Sequence, residues 1–378
     1  MSFPNHIYWL TTRDRVEYTG PMSVLRPGSL LLAVIAGTLL ASRCWGEKAR
    51  TVTVMQWNVE NLFDTVDDPA NKGDDPFTAR GWEHWTDERY QAKLANLARV
   101  IETNAPDLIC LEEIENRRVL DDLRGVLKTT YGRDYPYVIH REGSDHRGID
   151  VAILSAIPAA SPRWLTPVPE QRDILSADFD VEGQRITLIV NHWKSRLGPK
   201  DEADQMRASE AAAARVEVDR LLAANSNAAV MLIGDFNDDC DGSALRDRAR
   251  SLLDMQAVLA DPTGMTLYNL QGGLPAGQRG TIYFAKGKTW NSFDSISVSR
   301  SMIDPARQAL PGWRALTNSF AIVNTDWMRD ASGAPKPFRR VNPDHKAHGT
   351  YSFGFSDHFP VRVTLELNGG PAPPIAGP

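Results

Sequence analysis

The sequence is poor in cysteine, has no excess of positive charge and contains no repeat before its last ten residues. Its 378 residues include only 3 cysteines, Cys44, Cys110 and Cys240, and so few thiols cannot form the disulfide framework of a small secreted domain. A net charge of −6 excludes a general attraction to nucleic acid or anionic lipid, so any polyanion must be held by a local basic patch or a metal ion. What remains is an ordinary globular composition, 42% hydrophobic and 24% charged, which can bury a large core.

The first fifty residues differ from the rest of the chain. Arg26 precedes the uncharged, leucine-rich run from Ser29 to Ala41, which is typical of a secretory signal. The run is shorter than the roughly 20 residues that cross a bilayer comfortably, and an uncleaved anchor is the alternative. Residues 1–21 resemble no targeting sequence, which favours Met22 as the start. We predict a signal or anchor region with a spurious N-terminal extension over residues 1–48, and export to the periplasm, envelope or medium.

From residue 49 onward, short apolar segments alternate with helical patterns, which predicts one α/β domain over residues 49–368 and a disordered tail over 369–378. Several predicted strands are apolar on both faces, so we expect them to be covered on both sides. Two amphipathic segments predict helices outside the sheets. The predicted strands are Thr51–Trp57, Asp107–Leu111, Tyr137–His140, Asp150–Leu154, Ile186–Trp193, Ala229–Gly234, Phe293–Val298 and Val361–Leu365, and the predicted helices are Glu88–Thr103 and Glu202–Ala223.

Polar side chains recur at the ends of these strands. Taken singly, each has an ordinary explanation as a turn, a cap or a solvated charge. Because buried carboxylates, amides and imidazoles cost free energy unless paired, their joint recurrence favours a shared site. A hard divalent cation such as Mg²⁺ prefers oxygen ligands, which carboxylates and amides supply. The residues are Asn58, Glu113, His192, Asp235, Asn237, Asp294, Asp357 and His358.

The segments that carry these residues resemble the endonuclease/exonuclease/phosphatase superfamily, which includes DNase I, abasic-site endonucleases, neutral sphingomyelinases and inositol polyphosphate 5-phosphatases. They are QWNVEN, DLICLEEIEN, RGIDVAIL, VNHWKS, GDFND, FDSISVS and SDHFPV, in this order between Thr51 and about Leu367. The resemblance implies a four-layer α/β sandwich, in which two mixed β-sheets pack face to face with flanking helices. It also implies an active site at one edge of the sandwich.

The resemblance further implies which residues hold a metal. Glu113 is expected to be the principal ligand of Mg²⁺, with Mn²⁺ or Ca²⁺ as alternatives, and Asn58 and Asp357 are expected to lie nearby. Glu112 stands where the family commonly has Gln. As the neighbour of Glu113 on a strand, it is expected to face away from the metal.

The same resemblance implies catalytic roles for the remaining residues of the motifs. Asp294 is expected to orient His358, and Asp235 to orient or deprotonate the attacking water. Asn237 would donate to a phosphate oxygen, and His192 would contact phosphate and protonate the leaving oxygen. The reaction would be an in-line attack of water without a covalent intermediate.

For several further residues the sequence allows two interpretations. Arg147 and Asp150 are candidates for the substrate-phosphate site; alternatively, Asp150 braces His192 or forms a surface pair. Trp57 and Trp193 either stack on a base or belong to the core. Basic residues after two of the motifs either line a polyanion groove or belong to solvated loops; they are Arg117, Arg118, Lys194, Arg196 and Lys200.

We predict a secreted metal-dependent nuclease that hydrolyses phosphodiester bonds in DNA or RNA, monomeric and without an obligate protein partner. A membrane tether through the N-terminal segment is the alternative to free secretion. A phosphatase or a lipid phosphodiesterase of sphingomyelinase or inositol phosphate type would use the same site. A non-catalytic binding protein would be expected to have lost an acidic residue or a histidine of the motifs, and none is missing. The acidic stretch Asp64–Asp75 lacks the regular spacing of a Ca²⁺ loop, which favours a solvated loop.

Overall fold

The computed structural model describes residues 50–307, 310–341 and 350–369. The predicted signal region and, apart from Gly369, the predicted tail lie outside the described residues. Among the described helices, none is long and apolar enough to cross a membrane.

All strands of the protein are numbered in chain order, and the first sheet contains seven of them. Its order is β14-β18-β1-β2-β4-β3, and β15 also pairs with β18. Strands β1 and β2 run parallel, while β4 runs antiparallel to β2, so the sheet is mixed. The strands are β1 Arg50–Leu62, β2 Leu108–Ile114, β3 Tyr137–His140, β4 Asp150–Ser155, β14 Gly312–Ala315, β15 Ala321–Ile322 and β18 Val361–Asn368.

The second sheet also has seven strands, in the order β5-β6-β7-β8-β13-β10-β9. It is mixed as well, because β7 and β8 are parallel while β13 runs antiparallel to β8. The strands are β5 Ala159–Leu165, β6 Ile174–Val181, β7 Gln184–His192, β8 Ala229–Asp235, β9 Ser251–Leu252, β10 Leu267–Asn269 and β13 Asp294–Ser299. Two small hairpins are separate from the sheets: β11 Ile282–Phe284 with β12 Thr289–Asn291, and β16 Arg340–Val341 with β17 Thr350–Tyr351.

The α-helices are α1 Asp87–Asn104, α2 Arg117–Tyr131, α3 Lys200–Ala224 and the short α4 Met255–Ala260. Side chains cap the N-termini of three of them. Thr86 Oγ1 accepts from Arg89 N, Asn116 Oδ1 accepts from Val119 N, and Asp254 Oδ1 accepts from Gln256 N. Helix α1 ends at Ala105, whose φ of 45° is left-handed.

Strand alternation places the two sheets face to face with helices outside. Val52 and Val54 of β1 belong to a core that also contains side chains of β7 and β8. Their neighbours Met55 and Trp57 pack instead with residues of α1 and α2. On the other side, α3 contributes to a third core beneath the second sheet. The expected four-layer sandwich is therefore confirmed.

The predicted strands and helices are present with shifted ends, but several elements were missed. Strands β5 and β6 were absent from the prediction; β5 lies at a sheet edge and contains Pro162, which is tolerated there. Helix α2 was also missed. Trp57 and Trp193 belong to the core, both 0% exposed, and Cys110 and Cys240 are buried free thiols.

Candidate active site

The sheet topology brings the polar strand ends to one edge of the sandwich. His192 at the end of β7 is in register with Asp235 at the end of the parallel strand β8. Asp294 begins β13 rather than ending it, and reaches the same edge because β13 runs antiparallel to β8, opposite Asp235. Asn58 lies near the end of β1, in register with Glu112 of the parallel strand β2.

Asp235 lies at the centre of this arrangement. Its Oδ2 accepts from Asn58 Nδ2 at 3.0 Å, and its Oδ1 accepts from the backbone N–H of Asn237 at 2.9 Å. The Nε2 atoms of His192 and His358 lie 3.6 Å and 3.9 Å from the same Oδ2. Burial raises the pKa of Asp235 to about 6, so the carboxylate can both accept a proton and remain mostly ionised near neutral pH.

His358 forms the expected pair with Asp294. Its Nδ1 lies 2.8 Å from Asp294 Oδ2, and Gln56 Nε2 donates to Asp294 Oδ1 at 2.9 Å. Burial alone lowers the pKa of His358, but the carboxylates of Asp294 and Asp235 outweigh it and raise the pKa well above the usual histidine value. His358 is therefore a cation near neutral pH.

The pKa of His192 shifts in the opposite direction from that of His358. Burial, reinforced by the guanidinium groups of Arg172 and Arg147, lowers its pKa well below the usual value. Arg172 also fixes its backbone, since Nε donates to the carbonyl oxygen of His192 at 3.1 Å and a terminal nitrogen donates to that of Trp193 at 2.7 Å. The lowered pKa favours the neutral imidazole, and the expected role of His192 as leaving-group acid stays a prediction.

Glu113 reaches the site through an unusual backbone conformation. Its φ is 64°, and the pairing of β2 with β4 shifts register between Glu112 and Ile114. This bulge re-aims the side chain, as bulges at strand ends do. Glu113 Oε2 accepts from the backbone N–H of Asn61 at 2.8 Å, and Oε1 lies 4.0 Å from His192 Nε2.

The expectation that Glu112 faces away from the site is corrected. Glu112 accepts a hydrogen bond from Gln56 Nε2 at 2.9 Å, and the same nitrogen contacts Asp294. Because Glu113 and not Glu112 occupies the bulge, Glu112 keeps the strand alternation of Cys110 and points between the sheets. Burial, followed by the charge of Asp294, raises its pKa well above the usual value, so Glu112 is a neutral carboxyl.

Asp357 and Asn58 lie in the same cleft but are held by protein groups. Asp357 Oδ2 accepts from Arg339 at 3.0 Å, and Asp357 Oδ1 lies 4.0 Å from His358 Nε2. The side-chain Oδ1 of Asn58 accepts from the backbone N–H of Glu60 at 3.0 Å. With Glu113, these residues form an oxygen-rich rim around Asp235.

The donor set fits a hard metal ion. The described residues hold one Asp-Asp-His group with ligand atoms within 4.8 Å of one another in this cleft, formed by Asp235, Asp294 and His358. Oε1 of Glu112 and Oε1 of Gln56 are also buried without a hydrogen-bond partner in the described part of the chain. A cation held by oxygen atoms here would relieve the repulsion between the carboxylates of Asp235 and Asp294.

Asn237, Arg147 and Asp150 make contacts within the protein that differ from some of those expected for them. Asn237 Nδ2 donates to the carbonyl oxygen of Trp193 at 2.9 Å, so it braces Asp235 from within the fold. Arg147 lies beside the site, with a terminal nitrogen 3.7 Å from Glu113 Oε1. Asp150 does not brace His192, because its Oδ2 lies 3.4 Å from His140 Nε2.

The basic residues proposed for a polyanion groove all face acidic groups or carbonyls. Arg117 pairs with Asp121 at 3.0 Å and Lys200 pairs with Asp204. Arg196 donates to Asp239 at 2.9 Å. Arg118 lies 3.6 Å from Asp64, and Lys194 Nζ contacts the carbonyl oxygen of Leu197 at 3.3 Å. Because these are mostly exposed pairs, they hold the cations only weakly, and both interpretations of the basic residues stay open.

Sequence reasoning missed a buried charge network at the base of the cleft. Lys93 is 0% exposed, and its Nζ donates to the carbonyl oxygens of Val59, Glu60 and Phe355 at 2.6 Å, 3.0 Å and 2.9 Å. Burial raises the pKa of Glu60 to about 8 and lowers that of Lys93 to about 8. The spacing of Gln56, Asn58 and Glu60 along β1 was the one available signal for part of this network.

The sequence comparison decides the family. A model of the Endonuclease/Exonuclease/phosphatase family matches residues 53–367. The chain belongs to this family. No curated protein sequence matches the chain. Members of the Endonuclease/Exonuclease/phosphatase family are metal-dependent hydrolases of phosphoester bonds, and this chain is one of its phosphoesterases.

Solved structures share the fold of this family member. TDP2 from C. elegans matches with a TM-score of 0.51 at 15% identity, over 90% of this chain and 82% of that chain. D. rerio TDP2 complexed with a single strand DNA product matches with a TM-score of 0.50 at 15% identity, over 83% and 98%. A mannosyl-6-phosphatase from Bacteroides thetaiotaomicron VPI-5482 has a TM-score of 0.48 at 15% identity, over 83% and 99%. At these identities the likeness to the two TDP2 structures shows the fold alone.

Proposed function

We propose that the chain is an exported, Mg²⁺-dependent phosphodiesterase that hydrolyses nucleic acid. One observation carries the catalytic part of this proposal. A buried carboxylate, Asp235, lies between two histidines whose pKa values move in opposite directions. Groups whose environments separate their protonation states in this way are suited to acid and base roles in one reaction.

Asp235 is the group that accepts a proton. Its pKa of about 6 lets it orient the attacking water and take its proton near neutral pH. Asn58 and Asn237 hold the carboxylate in place through the hydrogen bonds at 3.0 Å and 2.9 Å. The metal ligands would be Glu113, Asn58 and Asp357, and a bound Mg²⁺ would stabilise negative charge on the phosphoryl oxygens.

His358 is the group that carries a proton toward the phosphate. Its Nδ1 is held by Asp294, which leaves Nε2 facing the cleft beside Asp235. As a cation it can stabilise charge on a phosphoryl oxygen and supply a proton to the leaving oxygen. His192, neutral and fixed by Arg172, orients the phosphate as a hydrogen-bonding group.

An exposed tryptophan beside the catalytic histidine supports a nucleic-acid substrate. Ile282 of β11 pairs with His358, and Trp290 on the partner strand β12 stacks on Phe359 with ring centroids 6.1 Å apart. Trp290 is 45% exposed and lines a cleft of about 410 Å³ together with Arg329. Exposed aromatic rings are stacking platforms for bases. The DNA product held by D. rerio TDP2 agrees with such a substrate.

The purified chain tests the proposal when incubated with Mg²⁺, or with a chelator, against plasmid DNA, RNA, a generic bis-aryl phosphodiester and an inositol phosphate. We expect cleavage of DNA or RNA that the chelator stops. Trp290→Ala should raise KM for the polynucleotide by about fivefold or more, because stacking contributes about 1–3 kcal/mol per base. Its KM for the small diester should not change.

Phe284→Ala is the matched control, since Phe284 is an exposed ring on the same hairpin, 55% exposed, outside the lining of that cleft. Activity confined to the inositol phosphate would replace the nucleic-acid substrate with a small phosphate ester. Absence of hydrolysis with every substrate would contradict the enzymatic proposal as a whole.

Export is the second part of the proposal and rests on the signal pattern of residues 29–41. Expression in a bacterial host, followed by separation of cytoplasm, membrane and periplasm, tests it. Recovery of a shortened chain outside the cytoplasm supports a cleaved signal, and recovery of a full-length chain in the membrane supports a tether. A full-length chain confined to the cytoplasm would contradict export.

A further inference from the structure

The acidic segment between β1 and α1 brings three carboxylates together away from the catalytic motifs. Ligand atoms of Asp67, Asp74 and Asp75 lie within 4.8 Å of one another. Asp68, the other acid of this stretch, is directed elsewhere, since its Oδ1 accepts from the backbone N–H of Ala70 at 2.9 Å. Three like charges so close repel one another unless a cation joins them.

Asp74 supplies an independent indication of a ligand. It is 2% exposed, and its Oδ2 accepts from the backbone N–H of Asp68 at 2.6 Å. Its Oδ1 is buried and has no hydrogen-bond partner among the residues that the structure describes. A buried polar atom without a partner costs about 1–3 kcal/mol. Burial also raises the pKa of this carboxyl, as expected where no positive charge compensates it.

Positively charged side chains of the protein do little to neutralise these three carboxylates. In the described ranges, the ion pair recorded for this trio joins Lys72 Nζ to Asp75 Oδ1 at 3.8 Å, and the lysine side chain is 73% exposed. An exposed pair of this length contributes at most about 1 kcal/mol. It leaves Asp67 and Asp74 without a cationic partner in the described part of the chain.

We propose that Asp67, Asp74 and Asp75 form a second, non-catalytic site for a hard divalent cation of the Ca²⁺ type. The ligands are oxygen atoms only, and Ca²⁺ accepts irregular sets of six to eight oxygens that include water. Asp67 and Asp75 are exposed, which leaves room for water ligands. Mg²⁺ demands a near-ideal octahedron and fits such a loop less well.

The site has a structural consequence for the catalytic cleft. A Cβ on Gly73 would lie 1.9 Å from the carbonyl oxygen of Arg147, so the acidic segment packs directly on the turn that carries Arg147. A terminal nitrogen of Arg147 in turn lies 3.7 Å from Glu113 Oε1. A cation that fixes Asp74 therefore also fixes the backbone beneath Arg147.

The test is calorimetric titration of CaCl₂ into the purified full-length chain that carries Glu113→Gln, which weakens metal binding at the catalytic cleft. We expect one remaining Ca²⁺ site, lost or weakened at least about tenfold by a further Asp74→Asn or Asp75→Asn substitution, because each removes one of three charged ligands. Asp75→Asn is included because Asp75 is exposed, so this variant should fold even if Asp74→Asn does not. Thermal unfolding gives the second readout: Ca²⁺ should raise Tm of Glu113→Gln but not of Glu113→Gln with Asp74→Asn.

Asp68→Asn in the same background is the matched control. It removes the same charge from the same loop, and its side-chain oxygen can still accept from Ala70, so Ca²⁺ binding should be unchanged. Equal loss of affinity in Asp68→Asn and Asp74→Asn would reduce the effect to loop charge and overturn the site. Unaltered Ca²⁺ binding in Asp74→Asn and Asp75→Asn, or no binding in the Glu113→Gln parent, would overturn it as well.

Discussion

The Nε2 atoms of His192 and His358 lie 3.6 Å and 3.9 Å from the same oxygen, Asp235 Oδ2, yet the pKa values of the two imidazoles shift in opposite directions. The difference comes from their other neighbours. His358 is bonded to Asp294, whereas His192 lies near the guanidinium groups of Arg172 and Arg147. Burial with nearby guanidinium groups thus lowers the pKa of His192, whereas the carboxylates of Asp294 and Asp235 raise that of His358.

The Asp294→Asn substitution should lower kcat by about 100-fold or more, because His358 loses the partner that orients it and keeps it protonated. The carboxylate raises the pKa of His358, so its removal should move the alkaline limb of the pH profile of kcat/KM to lower pH. Rates measured between pH 5 and 10 check this. Asp326→Asn, at a side chain 99% exposed, should leave the profile unchanged, and an unshifted alkaline limb in Asp294→Asn would contradict the assignment.

Glu112→Gln and Glu113→Gln should have opposite outcomes although the residues are adjacent. Glu112 is a neutral carboxyl bonded to Gln56, and an amide reproduces it, so activity should stay within about tenfold of wild type. Glu113 presents a carboxylate to the cleft, so Glu113→Gln should abolish Mg²⁺-dependent hydrolysis with the fold retained. Titration of Mg²⁺ in an activity assay, with circular dichroism of both variants, makes the comparison. Equal losses would show that the bulge does not separate their roles.

Strand patterns and motifs predicted the family, the fold and the set of residues that meet at the cleft. They succeeded because β-strands alternate regularly, and residues such as Asn58 and Asp235 follow short apolar runs at the ends of parallel strands. Family membership and the four-layer sandwich are confirmed. The export prediction and the individual site roles stay predictions.

The sequence did not predict features that depend on backbone detail or on distant partners. The left-handed conformation of Glu113 decides which of two adjacent glutamates is aimed at the metal, and no short pattern encodes it. Arg172 contacts the backbone of His192 from the loop between β5 and β6, and Lys93 reaches β1 from α1. Such long-range contacts follow from packing of the complete fold, so the sequence left the partner of Asp150 open, and the structure places it beside His140.

Lys93→Met should destabilise the protein by about 3–5 kcal/mol, since it leaves three buried carbonyl oxygens without their charged donor. Chemical denaturation monitored by fluorescence measures the loss. Lys128→Met is the control, because Lys128 is a helical lysine whose side chain is 65% exposed, and its effect should stay within about 0.5 kcal/mol. A similarly small effect for Lys93→Met would show that its three hydrogen bonds contribute no net stability.

Glu210 should make the stability of the protein fall as pH rises through the neutral range. The residue is 1% exposed, its Oε2 accepts from the backbone N–H of Lys194 at 2.7 Å, and burial raises its pKa from 4.5 to about 7. The folded carboxyl therefore binds its proton more tightly than the unfolded one, so its favourable contribution is complete below pH 4.5 and is lost as pH rises to about 7.

Glu210→Gln removes this dependence because an amide does not titrate. At pH 8 the variant should be more stable than wild type by about 3 kcal/mol, since the pKa rises from 4.5 to about 7 and one pKa unit corresponds to about 1.4 kcal/mol, and the advantage should shrink at pH 5. Denaturant unfolding at both pH values measures it. Glu182→Gln, at a side chain 58% exposed, is the control and should show no such change. A difference between Glu210→Gln and wild type that is the same at both pH values would mean that Glu210 titrates alike in the folded and unfolded chain.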